Sequence, residues 1–154
     1  MIKKAELIDG VKIKELIKHK DDRGFFEELV RVTDDFFKEG FGQLSHSFML
    51  PGVVKAWHVH KTQFDWWFVA KGTLMVALFD LRTKSPTQKV LNEFILGEKG
   101  ENIILKIPPG VAHGCKVKEK DAELFYITSS IYNKEEEGRI PHNDKNIGYD
   151  WINL

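Results

Sequence analysis

The sequence predicts an all-β protein whose strands close into a sandwich or barrel. Three observations predict it. Short runs alternate apolar and polar residues with period two, as Val11 and Ile13 do against Lys12 and Lys14. Turn residues recur roughly every 8–12 positions: Asp9-Gly10, Arg23-Gly24, Gly40, Pro51-Gly52, Gly72, Ser85-Pro86, Gly97, Gly100 and Pro108-Pro109-Gly110. The 154-residue chain is 12% aromatic, too rich in rings for a disordered segment. At roughly 100–200 residues per domain it is expected to form one domain, residues 1–154.

The elements follow in order. A first strand is expected at 11–17. Phe26, Leu29 and Val30 lie in a run ending at Val32, which predicts a second. A short helix is expected at 34–39, capped by Thr33 or Asp34 and stopped by Gly40. Leu44, His46 and Phe48 alternate with Ser45 and Ser47, and Trp57 and Val59 with His58 and His60, so each set predicts a strand. The segment DWWFVAKGTLMVALFDL, 65–81, is apolar on both faces. Its length suits a buried helix, but its Trp, Phe and Val content and the central Lys71-Gly72 predict two strands joined by a tight turn. Further strands are expected at 90–96, 102–107, 112–117 and 123–131. Residues 133–154 read as a polar loop tail, with Tyr149 and Trp151 expected to anchor it on the barrel.

Composition narrows the function classes. Lys+Arg and Asp+Glu both number 23, so no global charge draws the chain to nucleic acid or to an acidic membrane. Cys115, the sole cysteine, excludes an internal disulfide. The N-terminal MIKKAELIDGVKIKEL has no apolar signal core, and no run reaches the roughly 18 apolar residues of a spanning helix. A soluble, cytoplasmic protein is the expectation.

The chemistry concentrates in histidine. His58 and His60, two apart on a strand, place both imidazoles on one face, with Trp57 and Val59 on the other. Such a face suits a polar pocket inside a barrel, and it also suits solvent. Five residues separate Gly52 from His58, four separate His60 from Asp65, and six separate Asp65 from Gly72; Pro108-Pro109-Gly110-Val111-Ala112-His113 follows later. These segments resemble the two motifs of the cupin superfamily, which implies a double-stranded β-helix or jelly-roll barrel. The resemblance assigns His58, His60, Asp65 and His113 as a metal-type set. Asp65 stands where cupins usually have Glu, and the usual Asn after His113 is missing. Three imidazoles and a carboxylate suit a divalent ion such as Fe, Mn, Ni, Cu or Zn; the same residues also suit a polar pocket without metal.

A narrower resemblance runs over residues 22–151. Asp22-Arg23-Gly24-Phe25-Phe26-Glu27-Glu28 resembles the DxRGxFxE segment of dTDP-4-dehydrorhamnose 3,5-epimerases. Gln43 to Ser47 is similar to their QxNxSxS strand, and Gly52 to His58 to their GVLRGLH. Leu78 to Thr87 is close to VDLRxxSPT, Pro108 to Gly114 matches PPGxAHGF, and Phe125 to Tyr132 resembles LYKTTDYY. Glu137-Gly138 and Gly148-Tyr149-Asp150-Trp151 echo the family's tail.

The resemblance implies an enzyme acting on a nucleotide-linked 4-keto-6-deoxy sugar, with no cofactor required, and pairing as a homodimer. His58 matches the family's base, His113 a second active-site histidine, and Tyr132 the proton donor. Arg23, Phe26, Glu28 and Gln43 match substrate-contacting positions, although Arg23 beside Gly24 also reads as turn chemistry. Lys55 stands where an arginine binds the diphosphate.

The chain departs from the family in three ways. Asp65 aligns with the lysine that stabilises the enolate, a role a divalent ion would also fill. The C-terminal LSxKD segment, whose Asp pairs with the base, has no counterpart; Asp65 is the substitute partner to test. Ser45 replaces an Asn, and His60 is an extra imidazole. These leave open a sugar 3,4-ketoisomerase, a metal-dependent cupin acting on another small molecule, and a non-catalytic sugar-binding cupin.

Overall fold

The computed structural model describes residues 6–154. Two five-stranded antiparallel sheets face each other. The strands are β1 (Lys12–Glu15), β2 (His19–Asp21), β3 (Gly24–Phe26), β4 (Gln43–Met49), β5 (Val54–His60), β6 (Asp65–Lys71), β7 (Thr73–Asp80), β8 (Leu91–Gly97), β9 (Ile103–Ile107), β10 (Val111–Val117), β11 (Ala122–Thr128) and β12 (Glu137–Arg139). One sheet has the order β1-β9-β6-β11-β4 and the other β12-β5-β10-β7-β8, while β2 and β3 form a separate hairpin. This is the expected jelly roll. No described helix is long and apolar enough to cross a membrane.

Layering explains why residues 65–81 are apolar on both faces. Trp67, Val69, Leu74, Val76 and Leu78 point between the sheets into the main core. Ala77 and Phe79 face outward, where Trp57 and Trp151 cover them. Trp66 also faces outward, under Phe37 with Leu29 and Val30 against it. Both faces of each sheet therefore bury side chains, and strict alternation of polar and apolar residues disappears.

One sequence expectation gains detail and three need correction. The two strands and tight turn expected over 65–81 are β6, Gly72 and β7, with the strands in opposite sheets and Gly72 turning the corner between them at φ +74°. A Cβ there would sit 2.4 Å from the Asp121 carbonyl oxygen, so only glycine fits. The run ending at Val32 is not a strand beyond Phe26, because Leu29 and Val30 serve as a lid over Trp66 instead of pairing. The helix at 34–39 is one 3-10 turn, Asp35–Phe37; Asp34 occupies the capping position, but its side chain goes elsewhere, to Lys14 Nζ at 2.6 Å and the Arg31 N–H at 2.9 Å. The tail contains a strand, β12, which pairs with the edge of β5. Its anchors behave as expected: Trp151 is 1% exposed against Trp57, and the Tyr149 hydroxyl donates to Glu93 at 2.7 Å.

Candidate active site

A cavity of about 220 Å³ opens between the sheets. β5 and β10 build one wall. Their register places His58 opposite His113, then slips at a bulge between His113 and Cys115, where Cys115 falls opposite Lys55. The slip lets Lys55 and His58, three residues apart, both reach the cavity. Gly114 makes the close approach possible: a Cβ there would meet Ala56 Cβ at 2.5 Å. Asp65 and Trp67 on β6, with Gln43 on β4, enter from the facing sheet, and Tyr132 enters from the segment after β11.

His58, His60, Asp65, His113, Gln43, Lys55 and Tyr132 thus line one cavity. The remaining expected contacts do not reach it in this chain. Arg23 closes the hairpin turn, its backbone N–H donating to Asp21 Oδ1 at 2.9 Å and its guanidinium pairing with Oδ2 at 2.5 Å. That pairing holds the Asp21 carboxyl below its ordinary range. Phe26 stands 65% exposed on the same hairpin, and Glu28 pairs with Arg31 just after it. The hairpin is its own two-stranded sheet, and none of its residues lines this cavity.

His58 has a carboxylate partner that sequence reasoning did not assign. Its Nδ1 lies 2.7 Å from Glu137 Oε1. A carboxylate only accepts, so Nδ1 carries the hydrogen and Nε2 keeps a lone pair. β12 positions this pair by running beside β5, with Glu137 opposite His60 and Arg139 opposite His58. Burial works to raise the Glu137 pKa, but the hydrogen bond and charge of His58, with Arg139 nearby, outweigh it and hold the carboxyl below its ordinary value. Glu137 thus gives His58 a carboxylate partner from the same chain.

Asp65 does not orient His58. Its Oδ1 accepts from Gln63 Nε2 at 2.9 Å and its Oδ2 from the Trp67 indole at 3.2 Å. It lies 3.7 Å from His60 Nε2 and 3.7 Å from His113 Nε2, beyond hydrogen-bond reach. The four-residue metal-type set becomes three: ligand atoms of His60, Asp65 and His113 lie within 4.8 Å of one another, and His58 stands apart with Glu137. Gln63, also unforeseen, ties the cluster to Ser130, whose hydroxyl donates to Gln63 Oε1 at 2.9 Å.

His113 is 2% exposed, and its Nδ1–H donates to the Val111 carbonyl at 3.1 Å. Burial drives its pKa down to about 4, against the pull of Asp65, so the ring is neutral at pH 7. Trp67 packs edge-on against it with centroids 5.3 Å apart, a core role that leaves neither Trp66 nor Trp67 exposed for stacking. Cys115 is buried beside Met49, and burial pushes its thiol up to about 12. Tyr132 is 64% exposed at the cavity mouth, held by its backbone N–H, which donates to Gln43 Oε1 at 3.0 Å.

Comparison with known proteins agrees with this fold. The family model described as dTDP-4-dehydrorhamnose 3,5-epimerase matches residues 5–154. The spore coat polysaccharide biosynthesis protein SpsL of Bacillus subtilis (strain 168) is 47% identical over 148 residues, covering 94% of this chain and 97% of that protein. A crystal structure of a dTDP sugar isomerase from Desulfovibrio desulfuricans G20 superposes with a TM-score of 0.89 at 28% identity, covering 96% of this chain and 94% of that one. A 3,5-epimerase from Legionella pneumophila Philadelphia 1, solved with dTDP-4-keto-L-rhamnose, gives a TM-score of 0.84 at 29% identity, covering 96% and 81%. The chain belongs to the dTDP-4-dehydrorhamnose 3,5-epimerase family of jelly-roll sugar epimerases.

Proposed function

We propose that this protein epimerises a dTDP-linked 4-keto-6-deoxy sugar, with His58 as the base and Tyr132 as the acid. The C4 ketone acidifies the protons at C3 and C5. His58 Nε2 takes one of them, and the electron pair left on carbon delocalises onto the ketone oxygen as an enolate. The Tyr132 hydroxyl then returns a proton to the other face of that carbon. Glu137 keeps Nδ1 protonated and stabilises the imidazolium as it forms. The two proton transfers use only side chains of the chain and need no cofactor. The His58–Glu137 contact of 2.7 Å, in the wall of the cavity, carries the reading.

The volume fits part of such a substrate. Pockets for whole ligands of this kind run about 300–1,000 Å³, and this cavity is about 220 Å³. We assign the sugar to the cavity and the nucleotide to its mouth, with Lys55 supplying charge to the diphosphate. Lys55 Nζ stands 2.9 Å from Ser47 Oγ. An ammonium lacks the bidentate fork of arginine, so it attracts phosphate as a point charge. The exposed Phe25 and Phe26, at 57% and 65%, support a homodimer in which the hairpin finds its apolar partner on a second copy.

Incubation with the 4-keto-6-deoxy nucleotide sugar in deuterated water tests the reading. Deuterium should enter at both C3 and C5, and His58→Asn should abolish it. No exchange at either carbon would refute the proposal; exchange at C3 alone would narrow it to a 3-epimerase, and deuterium at C4 of a 3-keto product would move it to a 3,4-ketoisomerase.

A further inference from the structure

We infer that Glu136 is a positioning residue for the reaction: its carboxylate clamps β12 to the turn between β5 and β6 and so aims Glu137 at His58, a role that rests on the epimerase reading with His58 as base. Glu135, Glu136 and Glu137 form one acidic run, and its last two members have separate tasks. Glu137 Oε1 meets His58 Nδ1. Glu136 reaches the turn instead, where its Oε1 accepts the Thr62 N–H at 2.6 Å and the Gln63 N–H at 2.8 Å. The Lys61 N–H donates to the Glu136 carbonyl at 3.3 Å. Three successive backbone donors of the turn thus converge on one residue, and two of them on one carboxylate oxygen, as backbone N–H groups do around an anion.

Such bonds to an ionised acceptor are short and strong. Burial works to raise the Glu136 pKa, but the N–H groups of Thr62 and Gln63, with the Thr62 hydroxyl, outweigh it and hold the carboxyl below its ordinary value. The turn is itself a fixed point. Gln63 is buried, and its amide accepts from the Ser130 hydroxyl and donates to Asp65 Oδ1. Glu136 therefore ties the partner of the base to a rigid part of the cavity wall.

The clamp matters because packing does not set the register of β12. A strand is normally held in register by apolar side chains on a buried face, and a slip of one residue turns every side chain to the other face. β12 reads Glu137-Gly138-Arg139 and has no apolar side chain to bury. The Trp57–Ile140 backbone pair fixes its far end. Glu136 fixes its near end, where Glu137 lies opposite His60 and must reach back to His58. A contact of 2.7 Å between Glu137 and His58 leaves no slack at that end.

Epimerisation kinetics and proton NMR of the full chain test the inference. Glu136→Ala should lower kcat by up to about 10²-fold with KM little changed, the cost of a misplaced catalytic group. Glu136→Gln, whose amide oxygen still accepts both N–H groups, should restore most of that loss. Glu135→Ala removes the same charge from the exposed neighbouring position and should leave kcat unchanged. In a Glu137→Gln background the further loss from Glu136→Ala should nearly vanish, because no carboxylate is left to aim. The His58 Nδ1–H resonance, assigned by its loss in His58→Asn, should be sharp in the wild-type protein and in Glu136→Gln, and broadened by solvent exchange in Glu136→Ala. Should Glu136→Ala fail to fold, Glu136→Asp, charged but one methylene short, carries the same measurements. An unchanged kcat, a loss carried wholly by KM, an equal loss in Glu136→Gln, or a sharp His58 resonance without the clamp would overturn the inference. Deuterium exchange that is equal in the wild-type protein and in Glu136→Ala overturns the clamp and leaves the epimerase reading standing. No exchange in the wild-type protein overturns that reading, and the His58 resonance, recorded without substrate, then decides whether Glu136 aims Glu137.

Discussion

At the scale of single residues, the chemistry depends on which group faces each imidazole. His58 and His113 sit opposite each other across two paired strands, yet one is tied to a carboxylate and the other to a backbone carbonyl. The carboxylate orients His58, whereas burial, against the pull of its carbonyl partner, keeps the His113 ring neutral. Glu137→Gln keeps the shape but removes the charge that stabilises the imidazolium. It should lower kcat by about 10²–10⁴-fold with KM little changed, as measured in the epimerisation assay. Tyr132→Phe should remove the proton return while leaving binding of the nucleotide sugar measurable by calorimetry. That His58 enters the cavity was legible in the sequence, because HxH on a strand fixes the direction of two side chains. Its partner was not, because Glu137 lies 79 positions away within an acidic run, Glu135 to Glu137, that reads as solvated tail. The Glu137-Gly138 pair was the available signal: a Cβ at Gly138 would meet Val59 Cγ1 at 2.8 Å, so glycine lets β12 lie close against β5.

At the scale of elements, the strands were legible wherever one face met solvent and the other the core. Alternation located β4 and β5, and turn residues bounded β8 to β10. It failed where layers stack three deep. Leu29 and Val30 look like strand residues because they are apolar, yet they are covering material over Trp66. Gly72 is legible as a tight turn, but a glycine between two β runs has two geometric uses, and local sequence does not distinguish reversal from a change of sheet. The tail is the element that completes the site. Backbone hydrogen bonds in both directions between Trp57 and Ile140, at 2.9 and 3.0 Å, hold it beside β5, and Trp151 locks its end. Trp151→Ala should cost about 3–5 kcal/mol in urea unfolding. It should also reduce turnover in the surviving folded protein, because β12 carries Glu137.

At the scale of the whole molecule, distant segments are pinned by a few buried polar knots. Asp80 is fully buried and accepts from Arg82 Nε at 2.8 Å, Ser85 Oγ at 2.5 Å and Thr87 Oγ1 at 2.8 Å. Arg82 in turn donates to the Asp9 carbonyl at 2.7 Å, tying the N-terminal segment to this turn. Burial alone would raise the Asp80 pKa from 3.8, but these hydrogen bonds overcome it and hold it at about 2. A carboxyl depressed on folding contributes stability above its unfolded pKa and loses it as pH falls through the folded value. Stability should therefore drop by about 2 kcal/mol between about pH 4 and pH 2. Urea titrations across that range should show the drop, and Asp80→Asn should flatten it. The single thiol gives the folded state a clock. Cys115 lies in the wall of the cavity, shielded from solvent and almost wholly un-ionised at neutral pH. An alkylating reagent must wait for the barrel to open, so labelling should proceed at the rate of opening events, and a ligand that braces the two sheets should lengthen every interval between them.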